Sequence, residues 1–313
     1  MRVLVAGASG VIGRQLVPML EAAGHDVVGI ARSAHTGDGA EIFAVDALDR
    51  DALARVVDAV APDAIVNMLT AIPAQIDPKR LTRDFAMTNR LRTEGTRNLL
   101  DAAERSGVRR VVGQGLAYAY DPHSAGPADE DTPLWLDPPK PFAPVLAALK
   151  ELERATLEAQ GTVLRFGHLY GPGTSYAADG SFVRQVHDRR VPLVGGGTAT
   201  FSFTHTHDAA TAVLAALESG HPGVFNIVDD HPAPMSEWLP FLASEIGAPQ
   251  PRRAPAFLAR MAVGSWGVAF MTQLRGASNA RAKRILGWQP MYPSWRTGFA
   301  AELSSEPTTR RSA

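Results

Sequence analysis

The sequence predicts an α/β fold: a doubly wound parallel sheet of the Rossmann type with a smaller C-terminal substrate-binding region. Three observations carry this. Short apolar runs alternate with helical patterns from Arg2 to Phe166, the rhythm of a parallel sheet with helices on both faces. The first apolar run enters its helix through a Gly-rich turn, GASGVIG. Beyond Gly167 the alternation loosens into turns and scattered helices, as expected of a cap forming one wall of a cleft.

Taken in order, Arg2–Ala6 reads as a buried strand, and Val11–Ala23 as a helix stopped by Gly24, a natural residue just past a helix end. Asp26–Ile30 and Glu41–Val45 read as strands, and residues from about Asp49 to Val60 as a helix. Ala64–Asn67 is the fourth strand, and Leu81–Arg105 reads as one long helix closed by Ser106-Gly107. Arg110–Gly113 is the fifth strand, Val145–Ala159 a helix and Thr162–Phe166 the sixth strand. Between Gln114 and Pro144 lie seven prolines, and a connection of that length inside a domain is usually a lid or binding loop. It leaves the carboxyl end of the fifth strand, where open α/β sheets bind ligands. Further helices are expected over Phe182–Arg190, Asp208–Glu218, Ser236–Ile246 and Asn279–Leu286. The organisation is thus a dinucleotide-binding unit over 1–166, joined by a returning strand at about 223–228. A cap follows over 167–303, then a polar tail over 304–313 expected to be disordered.

Composition excludes several classes. The 313 residues include no cysteine, which removes disulfide scaffolds, thiolate metal sites and cysteine nucleophiles. Thirty-one basic and 32 acidic side chains nearly cancel, so no electrostatic footprint for nucleic acid or anionic membrane exists. No uncharged stretch is long enough to span a bilayer, and the N-terminal run lacks a signal-peptide pattern, so the chain reads as cytoplasmic. His205 and His207 would share a strand face just before Asp208, but no third ligand is evident beside the two histidines and no metal is assigned. No G-x-S-x-G nucleophile elbow occurs.

The chemistry begins at Gly7, Gly10 and Gly13. Between a strand and a helix, glycines allow a tight turn and the close approach of backbone to a pyrophosphate. The helix N-terminus then supplies free N–H groups and a positive dipole end. After the second strand, where an acid would bind the ribose 2′-hydroxyl of NAD, the chain has Ala31-Arg32-Ser33. Arg32 can pair bidentately with a 2′-phosphate and Ser33 can add a hydrogen bond, which favours NADP over NAD. Asp46 can accept from an adenine amino group or serve as a turn residue.

These segments, with IVNMLTA (65–71), TEGTRNLLDAAERSGVRRVV (93–112), LRFGHLYGPG (164–173), FTHTHDAATAVLAAL (203–217), GVFNIVDD (223–230) and AKRILGWQP (282–290), resemble the extended short-chain dehydrogenase/reductases, the NAD-dependent epimerase/dehydratase family. The resemblance runs from Met1 to about Phe299. It implies that Gly7, Ser9, Gly10, Val11 and Ile12 hold the pyrophosphate, Arg32 and Ser33 the 2′-phosphate, and Asp46 with Ala47 the adenine. Met68, Leu69 and Thr70 would pass beneath the adenosine ribose, and Phe166 and His168 would lie near the nicotinamide. It also implies a small-molecule substrate and dimers through the long helix Leu81–Arg105, and it reads Asn89 as structural.

The family's proton-transfer machinery is a Ser or Thr after the fifth strand and a Tyr-x-x-x-Lys on the next helix. Lys150 matches the lysine and is expected to bind the nicotinamide ribose, but Leu146 stands where the tyrosine should be. Gly115 or Leu116 fills the Ser/Thr position. Neither can transfer a proton. Tyr118 and Tyr120 are the candidates to replace them, with Gln114 at the end of the fifth strand and His168 after the sixth also considered, or a water or the substrate itself. The reading is therefore an NADP-dependent oxidoreductase or epimerase-like enzyme on a small hydroxyl- or carbonyl-bearing substrate, with a non-standard acid–base set. Two alternatives stand beside it: an NADP-binding sensor or partner protein without turnover, and a non-redox lyase or isomerase on the same scaffold.

Overall fold

The apolar runs pair into one sheet because each must hide both faces. In the computed structural model, which describes residues 1–33, 40–123 and 126–303, seven strands form it. They are β1 (Arg2–Ala6), β2 (Asp26–Ala31), β3 (Glu41–Ala44), β4 (Ala64–Asn67), β5 (Arg110–Leu116), β6 (Thr162–Phe166) and β7 (Gly223–Ile227). The order across the sheet is β7-β6-β5-β4-β1-β2-β3, and every pairing is parallel. The chain winds outward from β1 in one direction, then from β4 in the other. The connections at the carboxyl ends of β1 and β4 therefore diverge and leave a crevice, the usual ligand position in such sheets.

Period-two alternation divides the core. Val3 and Val5 face helices Val11–Ala22 and Thr206–Ser219 through Leu16, Leu20, Val213 and Leu217. Leu4 and Ala6 face the other side, against Leu53, Val57, Leu99 and Ala102 of helices Arg50–Val60 and Thr96–Arg105. Asp49 caps the first of these by accepting from the Ala52 N–H at 3.0 Å. A third core, rich in aromatic rings, lies in the C-terminal region around Phe201, Phe203, Trp238, Trp295 and Phe299. Two buried carboxylates tie that region down. Asp208 accepts from the backbone of Met291 and Tyr292, and Asp229 from that of Phe203 and Trp295.

Several expectations change. Leu81–Arg105 is not one helix: it runs as Leu81–Asp84, Ala86–Arg90, a π-helical turn Leu91–Gly95 and Thr96–Arg105. Phe85, at φ −98 and ψ 0, makes the first break, and the inserted π-turn rotates the face that follows. Two helices were not foreseen, Ala256–Thr272 and Trp295–Leu303. The first carries apolar residues on all sides and so shows little amphipathic period; it also breaks at Gly264, whose φ of +72 suits a glycine. β5 extends three residues past the expected end, to Leu116. The Pro-rich connection is pinned rather than open. Tyr120 bridges to Leu134 and Ala128 to Ala277, Trp135 is buried, and Asp121 accepts from the backbone of His123 and Leu136. The tail over 304–313 lies outside the described residues. Among the described residues, no helix is long and apolar enough to cross a membrane.

Candidate active site

The Gly-rich turn takes the form a pyrophosphate requires. Gly7 has φ +91, and a Cβ there would lie 2.8 Å from the Met68 carbonyl oxygen. The turn therefore passes against the backbone leaving β4 at the crevice. A Cβ on Gly13 would lie 2.3 Å from the Gly7 oxygen, so the helix can start this close only as glycine. Gly10 is the N-cap of helix Val11–Ala22 and no side chain caps it, leaving the first-turn N–H groups of Val11 and Ile12 available to an anion. Arg14 donates to the Ser9 carbonyl at 2.9 Å and fixes the turn from outside. This cradle fits a dinucleotide on the structure's own terms.

Around it the other expected cofactor contacts distribute as follows. Arg32 and Ser33 are exposed at the carboxyl end of β2, and among the described residues no ion pair engages Arg32. Asp46 is exposed, and its carboxylate accepts from the Leu48 N–H at 2.9 Å, so its turn role coexists with an open face. Ala47 is buried and its carbonyl accepts from Asn98. Met68 is buried, while Leu69 and Thr70 are partly exposed along the crevice. Phe166 departs from its expected place: its ring is sealed in the sheet core with Ile12 and Phe225, so its side chain cannot line a nicotinamide site. A residue on the inward face of a central strand packs before it binds.

The lysine of the expected catalytic helix, Ala143–Glu158, is exposed, and neither neighbouring acid engages it. Glu151 is taken by Arg97 and Arg154, and Glu153 by Arg165. Lys150 is thus left for a ligand. One turn back, Leu146 is buried in the same apolar cluster as Leu116, Phe142 and Leu149. Gly115 has a separate reason to be glycine, since a Cβ would meet Arg165 Cγ at 2.8 Å and Glu153 Oε1 at 2.9 Å.

The two tyrosines part company. Tyr120, expected as a candidate for chemistry, is buried at 2% exposure. Its hydroxyl donates to Asn226 Oδ1 at 2.6 Å and accepts from Arg165 Nη1 at 2.8 Å. Burial pushes its pKa up to about 12, against the lowering effect of Arg165. A phenol held on both sides this way is a strut between strands, not a proton donor to a ligand, and the candidacy fails on that geometry. Tyr118 instead stacks on His168, with ring centroids 4.3 Å apart. Burial raises its pKa, so the phenol stays protonated at neutral pH.

His168 itself sits among rings, 4.3 Å from Phe201 and 5.4 Å from Phe270 between centroids. Burial drives its pKa down to about 3, so the imidazole is neutral. Its Nδ1 approaches the Ser202 carbonyl at 3.3 Å, and its Nε2 has no partner. The unforeseen helix Ala256–Thr272 completes this aromatic wall. Its Phe270 meets His168, and its Trp266 stacks on Phe142 at 4.1 Å.

One functional candidate escaped sequence reasoning. Thr88, Arg92 and Thr96 are all buried, four residues apart, on the helical segment facing the crevice. Thr88 Oγ1 accepts from the Ala71 N–H, and Thr96 Oγ1 from Asn67 Nδ2, which places the stripe against the chain leaving β4. Arg92 lies between them. The signal was present, since a charged residue at i+4 between two small polar ones faces inward if they do. It is masked where Leu81–Arg105 reads as one long helix available for dimer contacts. Buried polar atoms without partners include Arg92 Nη1 and Nη2, Asn89 Oδ1, Gln114 Oε1 and His168 Nε2. Such atoms are few in native proteins, and each asks for a partner the protein does not itself supply. At the histidine pair only His205 is satisfied: its Nδ1 accepts from the His207 backbone N–H and its Nε2 meets Glu302, while the His207 Nδ1 is buried without a hydrogen-bond partner.

The dinucleotide cradle, the seven-stranded order and the exposed lysine on the next helix define an oxidoreductase-type nucleotide site on a Rossmann sheet. The profile described as "NAD dependent epimerase/dehydratase family" matches residues 3–228, and the chain belongs to that family of enzymes. Among curated proteins, a Streptomyces sp protein named 3-diazoavenalumate denitrifying reductase is 46% identical over 311 residues, covering 96% of this chain and 100% of that one. A UDP-glucose 4-epimerase of Mycolicibacterium smegmatis is 28% identical, covering 93% of this chain and 94% of its own length. Among solved structures, the Thermotoga maritima UDP-glucose 4-epimerase with UDP-glucose superposes with a TM-score of 0.77 at 20% identity, covering 97% of each chain.

Proposed function

We propose that the chain is an NADPH-dependent reductase acting on a small aromatic substrate whose reduction needs no proton from the protein. The observation that carries this reading is the pair Leu116 and Leu146, buried in one apolar cluster where proton donors are expected. Reduction of a carbonyl adds hydrogen to carbon and a proton to oxygen, and so needs a donor. Replacement of an aryl diazonium group by hydrogen does not. The aryl C–N bond breaks, a C–H bond forms with the electron pair of the reduced nicotinamide, dinitrogen leaves, and charge balances without a net proton. The 46% identical relative, named as a denitrifying reductase of a diazo compound, supports this substrate class.

In this reading the N–H groups of Val11 and Ile12, with Gly7, Ser9 and Gly10, hold the pyrophosphate. Arg32 and Ser33 hold the 2′-phosphate that distinguishes NADPH. Asp46 and Ala47 border the adenine, Met68, Leu69 and Thr70 the adenosine ribose, and Lys150 the nicotinamide ribose. When bound, the reduced nicotinamide supplies the hydride. Tyr118 offers the substrate a flat ring, and His168, kept neutral by burial, does not repel a cationic diazonium.

The test is to mix purified protein, NADPH and 3-diazonio-4-hydroxycinnamate carrying isotopically labelled nitrogen. Loss of NADPH absorbance and release of labelled dinitrogen are followed, with the protein-free reaction subtracted. One dinitrogen per NADPH is the expected result. No protein-dependent oxidation of NADPH, or turnover of simple ketones that is abolished by Tyr118→Phe, would overturn the reading.

A further inference from the structure

Arg92 is 2% exposed, and both terminal nitrogens of its guanidinium lack a hydrogen-bond partner. Among the described residues, no carboxylate lies within ion-pair range of it. Burial draws its pKa down to about 10, which still leaves it charged at neutral pH. A charge removed from water with nothing to pair it is strongly destabilising, and proteins normally avoid it. Its position is also built rather than incidental. It sits on the π-helical turn Leu91–Gly95, a rare element enriched at functional sites. That turn packs against the helix bearing Leu146 and Lys150. On either side Thr88 and Thr96 tie the segment to the chain leaving β4. The Tyr118 ring is near enough for the two groups to influence each other's ionisation, and that ring begins the aromatic wall of His168, Phe201 and Phe270.

We infer that Arg92 is a substrate-binding residue that pairs with an oxyanion, carboxylate or phenolate, on a flat aromatic substrate seated against Tyr118. The inference rests on the reductase reading for the substrate's aromatic class, and it adds the group by which the protein recognises it. The planar fork of a guanidinium matches a carboxylate with two parallel hydrogen bonds, which a lysine cannot reproduce. An oxyanion bound there would pair the buried charge and give both terminal nitrogens their acceptors.

The experiment is calorimetric titration of the protein, saturated with NADP⁺ so that no turnover occurs, with 4-hydroxycinnamate, cinnamate and methyl 4-hydroxycinnamate. Wild type is expected to bind 4-hydroxycinnamate, and Arg92→Met to bind it at least tenfold more weakly. Weak binding of the methyl ester assigns the oxyanion to the carboxylate, and weak binding of cinnamate assigns it to the phenolate. Thermal unfolding supplies an independent readout: without ligand, Arg92→Met should melt above wild type, because it removes an unpaired buried charge. Failure of wild type to bind any of the three, equal affinity in wild type and variant, or a lower melting temperature for the ligand-free variant would each overturn the inference. Arg92-dependent binding without diazonium turnover sinks the reductase reading and leaves the anchor standing; turnover unchanged in Arg92→Met does the reverse.

Discussion

Glu153→Ala is the perturbation with the clearest structural consequence. Glu153 and Arg165 form a two-pronged pair, with Nε to Oε1 at 2.8 Å and Nη2 to Oε2 at 2.6 Å, and their side chains are 8% and 7% exposed. Arg165 then donates its third contact to Tyr120, which donates to Asn226 on β7. The network thus joins the helix Ala143–Glu158, β6, the Pro-rich connection and β7. Burial alone would make the guanidinium less basic, but Glu153 and Tyr120 raise it overall. Removal of the carboxylate leaves a buried cation held by one phenol, at a cost of about 3–5 kcal/mol. Unfolding entropy near 2.1 cal/mol/K per residue amounts to roughly 0.6 kcal/mol/K for a chain of this size. The melting temperature should therefore fall by about 5–8 °C. Differential scanning calorimetry measures it directly, and Glu153→Met with Arg165→Met should recover most of the loss. A fall of less than about 2 °C in the single variant, or a double variant as unstable as the two singles combined, would refute the argument. Tyr120→Phe belongs to the same test. It should cost about 1–2 kcal/mol by leaving Asn226 without its donor, while diazonium turnover by the folded protein stays within twofold of wild type.

Three further outcomes are expected. Gly13→Ala puts a Cβ 2.3 Å from the Gly7 oxygen, so NADPH affinity measured by calorimetry should fall more than tenfold; unchanged affinity would remove the Gly-rich turn from the cofactor site. Arg32→Ala should weaken NADPH by roughly tenfold or more while leaving NADH unchanged, since a charge-assisted hydrogen bond contributes about 1.5–3 kcal/mol. Equal losses for both cofactors would show that Arg32 does not read the 2′-phosphate. His168 is held neutral when folded, with its pKa near 3 against about 6.5 unfolded, so the unfolded chain binds more protons between those values. Its contribution is fully present above pH about 6.5 and declines by about 1.4 kcal/mol per pH unit as pH falls toward 3. His168→Phe should flatten the melting temperature between pH about 5 and 6.5; an unchanged slope would contradict the burial argument.

The sheet, its strand boundaries to within three residues and the dinucleotide turn were legible in the linear chain, because each is local. A strand buried on both faces must be continuously apolar, and a turn against a pyrophosphate must be glycine wherever backbone meets backbone. The missing tyrosine was also legible, since Leu146 stands a fixed four residues before Lys150 on one helix face. Tertiary structure decided the rest. Tyr118 and Tyr120 are two residues apart on the chain, and nothing in their spacing says that one meets Arg165 and Asn226 while the other meets His168. The π-turn that breaks Leu81–Arg105 and the burial of Arg92 on it appear only in the folded chain. The helix Ala256–Thr272 shows little amphipathic period because its apolar residues lie on both sides: Trp266 and Phe270 meet the aromatic wall, while Phe257 and Met261 are exposed. Local chemistry sets what each residue can do; which groups share one dry space, and so which of them can act together, is set only when the chain folds.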